Sequence, residues 1–133
     1  MKILLISAAT LLSMSAGAAE WEYAAATGTS NVYVDLARIG GTPQKRTGWF
    51  LFDHLETRYD IDSARVFKSS THLIEIDCAS QSLNWLRMEK FTGPLATGTR
   101  VSARDIDTLT ANFLESIPDP ARQAMAEVLC VVD

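Results

Sequence analysis

Two cysteines, two histidines and a pair of carboxylates on one strand carry most of the chemistry that this chain of 133 residues can offer. Glu75 and Asp77 stand two apart in the run Thr71-His72-Leu73-Ile74-Glu75-Ile76-Asp77-Cys78. On an extended chain their carboxylates point the same way roughly 7 Å apart, a spacing that a hydrolase can use. The solvated face of an antiparallel strand gives the same pattern, and an acid catalyst also needs one carboxyl group buried, which nothing local supplies. His54 and His72 are the only imidazoles. As metal ligands they need further donors from Asp53, Glu75 or the 56–62 stretch, and neither HxxxH nor CxxC spacing preorganises such a set. Asp60-Ile61-Asp62 opens like a calcium loop, but Ala64 and Val66 stand where oxygen ligands are required. Nucleophile elbows, phosphate-cradling glycine loops and zinc-hydrolase histidine pairs are absent from the sequence. The expectation is a non-catalytic chain with no metal and no cofactor. A hydrolase acting through Glu75, Asp77, His54 or His72 is its minor rival.

Cys78 and Cys130 have a different use. Met1-Lys2 followed by the apolar run Ile3 to Leu12 and by Ser15-Ala16-Gly17-Ala18-Ala19 has the order of an export leader, with cleavage after Ala18 or Ala19. The chain then divides into a leader at 1–19 and one domain at 20–133. Beyond the inner membrane the compartment is oxidising, so two cysteines read as one disulfide, Cys78–Cys130. Two separate thiols or a metal pair compete with this reading, but lack a CxxC or a nearby histidine pairing. No cysteine stands at the cleavage point, so no lipid anchor is expected there, and no later apolar run reaches membrane length. Twelve basic against 16 acidic residues leave a net charge of −4, and loss of Lys2 with the leader takes this to −5. With the basic residues scattered, neither nucleic acid nor an acidic lipid surface is a favoured partner.

The elements that must position these groups follow from period and punctuation. Trp21-Glu22-Tyr23 alternates as a strand with Trp21 and Tyr23 inward, and Val32 to Leu36 is a second strand after the turn at Gly28 to Asn31. Gly40-Gly41-Thr42-Pro43 breaks the chain before a third strand, Lys45 to His54. There Trp49 and Leu51 share one face while Phe50, Phe52 and His54 share the other, so both faces need cover. The 55–63 stretch lacks a period and reads as a long loop. Ser63 to Cys78 is extended, with His72, Ile74, Ile76 and Cys78 on one side, and the turn at 79–82 returns it as Leu83 to Phe91. A further edge strand is expected near 97–101, and a short helix or loop at 102–114. Asp119 as cap, Pro120 in first position and the apolar stripe Ala121, Ala124, Met125, Val128 and Leu129 define a C-terminal helix lying on the sheet. The fold class is α+β, with five to six antiparallel strands.

In this order, Trp21, Val32-Tyr33-Val34-Asp35 with Arg38-Ile39, Trp49 to Asp53, Asp77-Cys78, and Ile117-Pro118 ahead of Cys130 resemble the surface-adhesin protein E family over nearly all of 20–133. The resemblance implies a six-stranded antiparallel sheet curved around one C-terminal helix, with the two cysteines bonded. The expected protein is a non-catalytic, adhesin-like domain binding a protein or envelope component, placed in the periplasm of a Gram-negative bacterium or else secreted or at the cell surface. Homodimerisation through an exposed sheet edge is a further expectation. Trp21, Trp49 and Trp85 mostly read as core, but Asn84 and Arg87 beside Trp85 suggest a surface position, so Trp85 and Arg87 are the candidate binding residues. A small-molecule carrier with an apolar pocket lined by Phe50, Phe52 and Met125 is the alternative.

Overall fold

The computed structural model describes residues 19–106 and 112–131. The expected leader therefore lies almost wholly outside the described residues, as does the centre of the 102–114 stretch. Among the described residues, one antiparallel sheet of seven strands is built from β1 (Trp21–Ala26), β2 (Ser30–Asp35), β3 (Gly40–Gly41), β4 (Lys45–Asp60), β5 (Arg65–Asp77), β6 (Ser82–Phe91) and β7 (Arg100–Asp105). The strands run in the order β1-β2-β4-β5-β6-β7, and the two-residue β3 pairs with the start of β4. Two helices follow, α1 (Asn112–Glu115) and α2 (Asp119–Cys130).

The inner face collects Val32, Val34, Phe50, Phe52, Ile74 and Ile76, and against them α2 buries Ala121, Met125, Ala126 and Leu129. Phe50 and Met125 are fully enclosed, so the space proposed for a carrier pocket is filled with core side chains. The sulfurs of Cys78 and Cys130 are bonded, and their Cα atoms lie 5.6 Å apart. Asp119 does not cap the helix: Pro118 holds the cap position with no side-chain bond, and Asp119 lies in the first turn, where its charge suits the helix dipole.

Helix and sheet meet closely at Gly48. A Cβ placed there would come within 2.7 Å of Leu129 Cδ1, and Leu129 is fully buried and cannot swing aside. Gly48→Ala is therefore expected to lower stability by about 1–3 kcal/mol through overpacking. An unchanged denaturant midpoint would show that the helix can lift off the sheet at no cost.

Three further expectations are corrected. Tyr23 is exposed rather than inward, because an irregularity between Tyr23 and Ala25 resets the phase of β1 and brings Ala25 into the core. Its ring instead meets Tyr33 edge-on at 5.8 Å. The 55–63 stretch is mostly strand: β4 continues to Asp60, and the pairing slips between Asp53 and Arg58 before resuming as Arg58↔Phe67, Tyr59↔Val66 and Asp60↔Arg65. Ser102 to Asp105 belongs to the edge strand β7 rather than to a helix or loop.

The outer face of β4 and β5 is covered by the turn at 93–97, as the two-sided third strand requires. Ser69 Oγ donates to the Gly93 carbonyl (2.7 Å) and accepts from the Ala96 N–H (2.9 Å), while the Leu95 N–H reaches Asp53 Oδ1 at 3.2 Å. Leu51, Ser69 and Thr71 are buried in consequence.

Candidate functional site

Strand alternation carries His54 to the inner face behind Phe50 and Phe52, and carries Ser70 and His72 there ahead of Ile74 and Ile76. The register Phe50↔His72 and Phe52↔Ser70 then sets the three polar side chains side by side. On β6, the step from Leu73↔Arg87 to Ile74↔Trp85 leaves Leu86 as an extra residue. That bulge lets Trp85 and Met88 both face inward although their numbers differ in parity.

The outcome is a buried polar row across an otherwise apolar face. Ser30 Oγ lies 2.7 Å from His54 Nδ1, His54 Nε2 lies 3.1 Å from Ser70 Oγ, and Ser70 Oγ lies 2.8 Å from His72 Nε2. Ser70 has one hydroxyl proton between two ring nitrogens, so it donates to one and accepts from the other. The two neutral imidazoles therefore take opposite tautomers about Ser70, and the row can run in either direction. Three rings hold them in place: Phe52 edge-on to His72 at 5.2 Å, Phe67 edge-on to His54 at 5.5 Å, and Trp85 tilted against His72 at 5.6 Å.

His54 is 5% and His72 2% exposed. Burial pushes the His54 imidazole down to about 4 from its ordinary 6.5, and the cations Arg58, Lys68 and Lys90 push it the same way. Burial likewise holds His72 well below its usual value, aided by His54 and Lys90. Lys68 Nζ donates to the His54 carbonyl. Lys90 Nζ lies over the Phe67 ring at 4.8 Å and donates to Asp60 Oδ1 at 2.6 Å. Burial opposes the charge on Asp60, but the bonds from Lys90 and Ser63 prevail and keep its carboxyl below the usual value.

Beside the row opens a cavity of about 210 Å³, with His54, Ser70 and His72 in one wall and Phe67, Trp85 and Met88 in others. Arg58, Lys90 and Arg104 complete the lining. A smaller cavity of about 70 Å³ lies on the other side of His54, against Ser30, Phe52 and Ile117.

The hydrolase set is divided by the sheet. His54 and His72 face inward, whereas Glu75 and Asp77 occupy the opposite phase of β5, where Asp77 accepts the Ala79 and Ser80 N–H groups at 3.0 and 3.2 Å and shapes the hairpin turn. A metal site fares no better. Among the described residues no cluster of three or more His, Cys, Asp and Glu side chains forms. A metal cation beside His54 and His72 would also meet the field of Arg58, Lys90 and Arg104.

Trp85, expected at a surface, is 6% exposed and stands in the cavity wall. Its neighbour Arg87 faces the other way and reaches solvent, bonded to Asp105 at 2.9 Å and to Glu89 at 3.3 Å. The inward phase of His54 and of His72 was readable from the sequence; Ser70 as the bridge between them was not, because it depends on which residue of β5 lies opposite Phe52.

A family model described as surface-adhesin protein E matches residues 21–131. Among solved structures, crystal form II of Haemophilus influenzae protein E superposes with a TM-score of 0.54 at 15% identity, over 86% of this chain and 96% of that one. The selenomethionine form of the same protein gives 0.54 at 16%, over 85% and 92%. Protein E from non-typeable Haemophilus influenzae gives 0.51 at 16%, over 81% and 74%. At these identities the likeness is one of fold. No curated protein matches the chain.

Proposed function

We propose, for a chain that belongs to the surface-adhesin protein E family, that it is an exported binding domain which attaches to a protein of the host surface or of the bacterial envelope. The match across residues 21–131 carries the reading, and with the family comes a non-enzymatic role. In this reading residues 1–19 are the export leader, residues 20–133 are one domain, and a periplasmic product is the first alternative to display at the surface.

The surface offered to a partner lies on the far arm of β4 and β5. Leu55, Tyr59, Ile61 and Val66 are 54–83% exposed there, and Tyr59 and Val66 are direct cross-strand partners. Large apolar side chains gathered so openly are unusual on a soluble domain and mark contact surfaces. A groove of about 620 Å³ runs beside them, lined by Leu55, Thr57 and Tyr59 on one side and by Gly28 and Thr29 on the other. Arg87 is retained as a second candidate contact because its guanidinium reaches solvent, whereas Trp85 is enclosed.

Immobilised purified protein is expected to bind at least one purified matrix, serum or envelope protein saturably. Tyr59→Ser with Val66→Ser should weaken that binding at least tenfold, the effect of losing one or two hot-spot side chains, with the unfolding midpoint little changed. No saturable binding across the panel, or equal binding by the heat-unfolded chain, would defeat the reading.

A further inference from the structure

The 210 Å³ cavity beside the histidine row has walls that select for charge and shape together. Arg58, Lys90 and Arg104 line it, and among the described residues no carboxylate does. Of the three, Lys90 is already neutralised by Asp60, with both side chains largely buried. Arg104 has only Asp62, 3.9 Å away, and both side chains are well exposed, so solvent screens the pair. Arg58 donates to the Thr29 hydroxyl at 3.3 Å and makes no ion pair among the described residues. Two guanidinium groups thus line a partly open cavity with charge to spare.

The remaining lining is apolar and aromatic: Phe67, Trp85 and Met88. Between the two kinds of wall stand Ser70 and the two histidines, which are neutral near pH 7 and so add hydrogen-bonding groups without further charge. The volume equals roughly seven waters at about 30 Å³ each. That is below the usual range for drug-sized ligands but enough for a single ring carrying one acidic group.

We propose that this cavity is a binding site for a compact carboxylate with an aromatic or apolar body, the carboxylate meeting Arg58 and Arg104 and the body lying against Phe67 and Trp85. Guanidinium groups suit a carboxylate because their paired N–H donors match its two oxygens. Arg58 also lines the groove beside Leu55 and Tyr59, so the two sites meet at that residue, whereas Arg104 lines this cavity and not the groove.

The test uses the purified protein at pH 7 with benzoate as probe, inorganic phosphate as an anion without a body, and benzyl alcohol and benzylamine as neutral and cationic bodies. Benzoate is expected to bind saturably, to shift the Trp85 indole N–H resonance, and to raise the titration midpoint of His54 by offsetting the cations beside it. Phosphate and benzylamine should bind at least tenfold more weakly. Arg104→Gln and Arg58→Gln, both changes at exposed side chains, should each weaken benzoate about tenfold, the loss of one charge-assisted pair, and leave the unfolding midpoint within a degree or two. Benzyl alcohol binding as well as benzoate, unchanged affinity in both arginine variants, or no shift at Trp85 at saturating benzoate would each overturn the proposal.

Discussion

Between pH 6.5 and pH 4 the unfolding free energy is expected to fall by roughly 3 kcal/mol through His54 alone. In the folded protein His54 is enclosed and titrates near 4, while in the unfolded chain it titrates near 6.5. Between those values the unfolded chain holds a proton that the folded one refuses, so acid favours unfolding. The contribution is whole above pH 6.5 and is lost as the pH falls toward 4. His72, also held low by burial, acts in the same direction. The charged groups around the row reinforce this: Arg58, Lys68, Lys90 and Arg104 are cationic, and the nearby Asp60 is already occupied by Lys90. Asp35 and Asp60 act in a separate window. Both are buried yet held below 3.8, Asp35 by the Glu20 N–H, the Arg38 guanidinium and the Ala37 N–H, so their contribution is lost only as the pH falls further. Urea midpoints at half-unit steps of pH would trace the loss, and His54→Gln should flatten the upper part of the curve. A flat profile from pH 6.5 to 4.5 in the unaltered protein would show that the imidazoles are not enclosed as described.

Opening the Cys78–Cys130 bond, by reduction or by Cys78→Ala with Cys130→Ala, is expected to cost about 4 kcal/mol. The bond joins residues 52 apart in sequence, and its removal returns to the unfolded chain the freedom of that whole loop. For a domain of this size that is a large share of the total stability. The helix at stake has 12 residues, too few to persist in water by itself, so its order depends on the sheet beneath it. Equilibrium unfolding in urea with and without reductant measures the difference. Superimposable curves would mean that packing of Met125 and Leu129 alone holds the helix.

What the sequence disclosed tracks where burial is one-sided. Ile74 and Ile76 alternate with Glu75 and Asp77 because one face of β5 is core and the other is not, and α2 shows its stripe for the same reason. The far arm of β4 was missed because Leu55 to Tyr59 is exposed on both faces, and a strand without a buried side has no period to detect. The bulge at Leu86 was equally hidden, since a phase reset leaves no mark in residue type, and it turns inward the Trp85 that its neighbours Asn84 and Arg87 suggest lies at a surface. Ala126 lies off the expected helix stripe yet is fully enclosed, because the sheet covers a wider arc of α2 than the stripe alone defines. The candidate site needed both strand alternation and cross-strand register, and only the first is written locally.

Each long strand of the sheet lies beside the long strand synthesised just before it, with β3 folded in at the margin. A polypeptide delivered N-terminus first can zip up hairpin by hairpin as it emerges, since neighbouring contacts close short loops and form quickly. The thiol of Cys78 stands in the turn between β5 and β6, and its partner Cys130 is made only with α2, after β6 and β7. An oxidase that reached the nascent molecule in that interval would find only the first of these two sulfurs, and the mixed disulfide so formed would be resolved by Cys130 when the closing helix arrived.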